Sequence, residues 1–192
     1  MTVVAALGDS ITAGTPLWAP NPRVRAEIGD ALNEESSWPY WAARANPTLE
    51  LRNHGINLET TAQIAARLGD AAAGADVLVI QGGINDIVQG QPPETAVANF
   101  RSMISRGQEL GLRVLVTELI PCNGFPATAP AILDLNERIG RLATELSVSV
   151  LPFYTTLEDP DVPERIAATW TDDGNHPSIA GHRQLGELAF TL

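Results

Sequence analysis

Apolar residues fall in two alternating kinds of segment along this chain. Five short runs, Val3–Leu7, Leu49–Asn53, Asp76–Gln81, Arg113–Thr117 and Val148–Pro152, are predicted to be strands. The third and fourth, built on Val77-Leu78-Val79-Ile80 and Val114-Leu115-Val116, are nearly continuous in β-branched residues and leucine. Runs without polar alternation fit strands covered on both faces, as in parallel sheets. Between them the spacing becomes helical. In Ala131–Leu146 the apolar positions 132, 135, 139, 142 and 146 share one face. Pro93–Leu110 opens on proline and is followed by Gly111, the order of start and stop signals that helices favour. Trp38–Ala45, Thr60–Leu68 and Ile179–Phe190 complete the predicted helices.

Strands alternating with helices predict an α/β fold: a flavodoxin-like three-layer α/β/α arrangement with a five-stranded parallel sheet in the order 2-1-3-4-5. The length of 192 residues suits one domain with a sizeable core, spanning the whole chain. Residues 14–36, 120–130 and 154–172 read as long loops. Two of them follow strands one and four, at the sheet end where ligands bind in such folds.

Composition narrows the classes of function. The formal net charge of -11 argues against nucleic-acid binding and against anionic membrane surfaces. No apolar stretch approaches a membrane span, so no stable membrane insertion is expected. No basic region precedes the first apolar run, so a cytoplasmic protein is expected, with a mature secreted form as the alternative. The single Cys122 forbids an internal disulfide, and one cysteine with three scattered histidines does not make a structural zinc site. All 12 basic residues are arginine, which excludes a Walker phosphate loop and a Schiff-base lysine. No cofactor or metal is expected. The oligomeric state is left open.

The chemistry is concentrated in four segments. Gly8-Asp9-Ser10-Ile11-Thr12 follows strand one and puts a serine hydroxyl at the carboxyl end of the sheet. Asn53-His54-Gly55-Ile56-Asn57-Leu58 follows strand two, Gly82-Gly83-Ile84-Asn85-Asp86 follows strand three, and Asp173-Gly174-Asn175-His176-Pro177 precedes the last helix. Together they supply what acyl transfer needs: a nucleophile (Ser10), a base to take its proton (His176), and a carboxylate three residues earlier to fix the imidazole tautomer (Asp173). Oxyanion donors would be the backbone N–H of Ser10, a backbone N–H of the Asn57–Leu58 turn, and the side-chain amide of Asn85. Trp18, Phe125 and Trp170 are candidates to line a substrate cleft. Asp9, Asp86 and His54 read as structural, His182 as solvent-facing or packing, and Cys122 as inert packing.

These segments resemble the four blocks of the SGNH, or GDSL, hydrolase superfamily. Gly8-Asp9-Ser10-Ile11-Thr12, Gly83-Ile84-Asn85-Asp86 and Asp173-Gly174-Asn175-His176-Pro177 carry the resemblance, in the family's order, from residue 8 to residue 176. In the second block Asn53 and Gly55 match, while Leu58 stands where the family often has glycine. A backbone donor survives that change, although a turn needing positive φ would strain a leucine by roughly 1–2 kcal/mol. The resemblance implies a flavodoxin-like fold and metal-free hydrolysis of short- to medium-chain acyl esters by a Ser10–His176–Asp173 triad, with Ser10, Leu58 and Asn85 as the oxyanion hole. The same site would suit a thioesterase, a lysophospholipase, a carbohydrate acetylesterase or an acyltransferase. A non-catalytic module binding a small anion or nucleotide is the alternative of another class.

Overall fold

In the computed structural model, which describes all 192 residues, five parallel strands form one sheet in the order β2-β1-β3-β4-β5. They are β1 (Thr2–Gly8), β2 (Leu49–Gly55), β3 (Val77–Ile80), β4 (Arg113–Thr117) and β5 (Ser149–Leu151). The pairing is in parallel throughout, with Val4 opposite Leu51 and Val77, and Val79 opposite Leu115. Helices follow in chain order: α1 (Ser10–Ala13), α2 (Pro22–Ile28), α3 (Trp38–Ala45), α4 (Thr61–Ala66), α5 (Leu68–Ala72), α6 (Ile84–Val88), α7 (Pro93–Glu109), α8 (Ala129–Glu145), α9 (Phe153–Leu157) and α10 (Ile179–Gln184). The last runs into a single π turn, Leu185–Ala189.

The period of two along each strand divides the core between the two faces of the sheet. Ala5, Leu7, Leu78, Ile80, Val114 and Val116 point to one side and pack with Ile64, Phe100, Ile104, Leu135 and Ile139. Val4, Ala6, Val77, Val79, Leu115 and Leu151 point to the other and pack with Trp38, Phe153, Leu157, Leu185 and Phe190. Each fully buried valine, leucine, isoleucine or phenylalanine among them contributes about 1.5–3 kcal/mol. On the second face Trp38 is the keystone: its ring meets Phe153 edge-on at 5.6 Å and Phe190 at 5.7 Å.

The structure departs from the expected elements in several places, among them α9, which opens the loop expected over 154–172, and α6, which is not among the expected helices. The helix expected over Thr60–Leu68 is two helices, broken at Arg67 (φ -109°, ψ 10°), whose guanidinium is held by three partners described below. The loop expected over 14–36 contains α2, whose start is legible in hindsight: the Asn21 side chain accepts from Arg23 N–H and Pro22 stands in the first turn. The helix expected over Ile179–Phe190 loses its α-helical pitch at Leu185. No helix is long and apolar enough to cross a membrane.

Candidate active site

The turn from β1 into α1 holds Ser10 by clamping its neighbours. Asp9 caps α1, its Oδ1 accepting from Ile11 N–H at 3.0 Å. Gln81, at the end of β3, accepts through one oxygen from Asp9 N–H (3.1 Å) and from the Thr12 hydroxyl (2.9 Å). Trp38 Nε1 donates to the same hydroxyl from the far side at 3.4 Å. Burial pushes the Asp9 carboxyl up to about 6, only partly offset by the Ile11 N–H, and its Oδ2 has no partner. Ser10 opens α1, where a main-chain N–H has no intrahelical acceptor. Its hydroxyl makes no hydrogen bond to the protein.

The second segment is drawn against this turn. Asn53 Nδ2 donates to Thr12 C=O at 2.8 Å, and its Oδ1 accepts from Gly55 N–H at 2.9 Å. A Cβ at Gly55 would run into the backbone of Ala13, so only glycine permits this approach. Ile56 N–H then bonds Gly8 C=O at 3.0 Å, and the chain turns through Leu58 at φ +66°. Leucine there is 69% exposed, so the strain of the left-handed region is not repaid by burial. Its N–H is committed to no acceptor within the protein. Leu58→Gly should therefore keep the backbone donor and raise stability by about 0.5 kcal/mol, strain relief exceeding the extra flexibility of glycine in the unfolded chain. Thermal unfolding would show a melting temperature up by about 1–2 °C; a fall would show that the turn does not strain leucine.

The third segment enters through Gly83 at φ +110° and delivers Asn85 on α6. Asn85 Nδ2 donates one hydrogen to Glu59 C=O at 2.9 Å, which orients the amide and leaves its second hydrogen free. Asp86 faces away and caps α4, accepting from Thr61 N–H (2.9 Å) and its hydroxyl (2.6 Å). Arg67 ties the first two segments together: it pairs with Glu59 at 2.7 Å and donates to His54 C=O and to Gly8 C=O (2.8 Å). The His54 ring is half-buried, its pKa lowered by burial first and then by Arg67 and Arg52.

The fourth segment is a self-bonded loop. Asp173 Oδ1 accepts from the N–H groups of Asn175 and His176, both at 2.7 Å, while Oδ2 lies 2.7 Å from His176 Nδ1. Burial alone would raise the Asp173 carboxyl; these donors outweigh it and hold it below the usual carboxylate range. The acid is thus ionised at neutral pH, and its bond to Nδ1 leaves Nε2 as the free imidazole nitrogen. Thr171 closes the loop, donating to His176 C=O (2.8 Å) and accepting from Gly174 N–H (2.8 Å). The turn after β4 steadies it, with Asn123 N–H donating to Gly174 C=O at 2.7 Å.

All four segments meet at one cavity of about 340 Å³. Ser10, Asn57, Leu58, Asn85 and His176 line it together, and Ile11, Ile84, Val88, Leu119, Ile120 and Phe125 give it an apolar wall. Asp173 stands behind His176, outside this lining. Of the three aromatic residues expected at the substrate, the structure brings only Phe125 to this cavity. Trp18 lines neighbouring hollows instead. Trp170 leans on the core of the second face, its carbonyl accepting from Ser178 N–H at 2.8 Å. His182 is fully buried, both ring nitrogens without partners, so it packs and does not face solvent. Cys122 reaches the cavity wall, its Sγ 3.1 Å from Asn175 Oδ1; burial, outweighing the N–H groups of Phe125 and Gly124, pushes its thiol up and makes it a poor nucleophile. No three His, Cys, Asp or Glu side chains converge as metal ligands would. Gln81, Arg67, Asn175 and Thr171 carry no local sequence signal of their roles: each acts through a contact distant in the chain or a main-chain bond.

Ser10, His176, Leu58 and the Asn85 amide thus line one cavity at the carboxyl end of a 2-1-3-4-5 parallel sheet, the place where α/β folds of this class bind their ligands. Residues 6–184 match the GDSL-like Lipase/Acylhydrolase family, and the chain belongs to that family. It is a carboxylic ester hydrolase. An arylesterase of Vibrio mimicus is 25% identical over 177 residues, covering 84% of this chain and 83% of its own. A G-D-S-L family protein from Desulfitobacterium hafniense DCB-2 superposes with a TM-score of 0.79 at 25% identity, over 97% of both chains. The lipase/acylhydrolase from Enterococcus faecalis shares the fold at a TM-score of 0.75 and 21% identity, over 97% of this chain and 92% of its own.

Proposed function

We propose that the enzyme hydrolyses short- to medium-chain acyl esters through an acyl-enzyme on Ser10. The observation that carries this reading is the single cavity shared by Ser10 and His176, with the Asp173 carboxylate 2.7 Å behind the imidazole. His176 Nε2 takes the Ser10 proton as Oγ attacks the carbonyl carbon, and Asp173 stabilises the imidazolium. The tetrahedral oxyanion is held by the N–H groups of Ser10 and Leu58 and the free amide hydrogen of Asn85. Collapse breaks the bond to the alcohol oxygen, which leaves with the proton from His176. Water then adds to the acyl-enzyme by the same steps and releases the acid. The apolar wall of Ile84, Leu119 and Ile120 suits an aliphatic acyl group, and about 340 Å³ is at the small end for ligand cavities.

An alkyl fluorophosphonate tests the reading directly. Peptide mass spectrometry of the treated enzyme should locate one adduct on Ser10, with loss of ester turnover in proportion to labelling. Inhibition with the adduct elsewhere, or intact turnover on a labelled Ser10, would remove Ser10 from the mechanism.

A further inference from the structure

A second cavity, of about 400 Å³, adjoins the Ser10 cavity. Thr15 and Asn57 line both, so the two hollows adjoin across these residues, one arm on each side of them. Its walls are Ala13, Pro16, Trp18, Val24, Ile28 and Ile56. Val24 and Ile56 are 38% and 45% exposed and have their apolar faces open to this hollow. The position of the imidazole decides which end of an ester enters which arm. His176 must give its proton to the leaving oxygen, so the alcohol lies on the imidazole's side of the scissile bond. Pro16 lines this second arm and also a small hollow against His176 and Asp173, which puts the 15–18 turn on that side. The aliphatic wall of Ile84, Leu119 and Ile120 belongs to the other arm alone.

Charge narrows the alcohol. Glu27 is the single charged residue lining the second arm, and it is acidic. The neighbouring Arg25 is already engaged: it lies over the Trp18 ring at 4.9 Å and donates to Ala19 and Pro20 carbonyls at 3.2 and 3.0 Å. No basic side chain is among the residues lining this arm, and the net charge of -11 disfavours a phosphorylated group. Resting on the proposed roles of Ser10 and His176, we infer that the Trp18 cavity is the alcohol-side arm of the cleft and selects neutral apolar leaving groups, phenols and naphthols among them, against phosphorylated ones. Trp18, Val24 and Ile56 determine specificity for the alcohol.

The test compares 2-naphthyl butyrate with methyl butyrate, which share an acyl group. In Trp18→Ala the ratio of their kcat/KM values should fall about tenfold, the worth of an aromatic contact. Val24→Glu, at a half-exposed helical position that folding tolerates, should lower the ratio similarly by charging the wall. The unaltered enzyme should cleave S-benzyl thiobutyrate at least tenfold faster than butyryl-coenzyme A, two thioesters of comparable intrinsic reactivity. An unchanged ratio in Val24→Glu, a preference for the coenzyme A ester, or a Trp18→Ala effect that follows acyl length across methyl acetate, butyrate and octanoate would overturn the assignment. Failure of the Ser10 reading is separate: it would appear as a Ser10→Ala enzyme that still turns over every ester, whatever the ratios.

Discussion

Ser10→Ala is expected to lower kcat for a chromogenic butyrate ester by about 10⁴-fold or more, with KM little changed. Under the proposed mechanism the covalent step disappears, while the Leu58 and Asn85 donors and the apolar wall that binds the acyl group remain. The residual rate would be what positioning and oxyanion stabilisation supply by themselves. The fold gives this experiment unusual clarity. Ser10 is nearly buried, yet its hydroxyl bonds nothing in the protein; the turn is held by Asp9, Gln81 and Thr12 instead. The variant should therefore melt within about 1 °C of the parent, since no buried partner is orphaned. Asp173→Asn would be a less clean probe, because Asp173 also accepts the Asn175 and His176 N–H groups that shape the loop. Turnover by Ser10→Ala within tenfold of the parent would end the acyl-enzyme reading.

The second large effect concerns stability in acid. His182 is fully buried with neither ring nitrogen bonded, and burial, aided by the nearby His176, pushes its pKa down to about 3. In the unfolded chain the same imidazole titrates near 6.5. Above that pH neither state binds the proton and nothing is lost. As pH falls from 6.5 towards 3 the unfolded state takes the proton first, so stability declines through that window. By pH 4 the loss is about 3 kcal/mol, at 1.36 kcal/mol per pH unit. Asp9 acts with the opposite sign: raised from 3.8 to about 6, it binds its proton more tightly when folded, and stability is regained as pH falls through that range. The two nearly cancel between pH 4 and 6. His182→Leu removes one of them and leaves Asp9 in place. Denaturant unfolding at pH 7 and pH 4 should show the variant gaining about 3 kcal/mol on the parent between those conditions. A difference independent of pH would mean that His182 keeps its proton equilibrium on folding.

Most of the architecture is legible in the order of residues. The uninterrupted Val and Ile runs of β3 and β4 required cover on both faces, and two core clusters supply it. The Gly8–Thr12, Gly83–Asp86 and Asp173–Pro177 segments announced the family because each chemical group sits in a short pattern tied to the end of an element. The break at Arg67 was not legible, since it depends on Glu59, His54 and Gly8 being brought to one guanidinium. Nor was the burial of His182: helical spacing told only that it shares a helix with packed residues, not that the opposing layer seals it.

What residue order alone determined here is the strand sequence, the sheet order and the identity of the chemically able side chains, because periodicity and short motifs are local properties. What only the tertiary structure decided is which groups share a cavity. Trp18, Phe125 and Trp170 looked equivalent as loop aromatics, yet they came to rest against a second arm, the Ser10 cavity and the core respectively. Loop paths are set by the sum of weak contacts across layers, and Leu58 shows the consequence. Its φ of +66° lies in the turn that follows the Ile56–Gly8 and Gly55–Asn53 bonds, against the conformational preference of leucine itself.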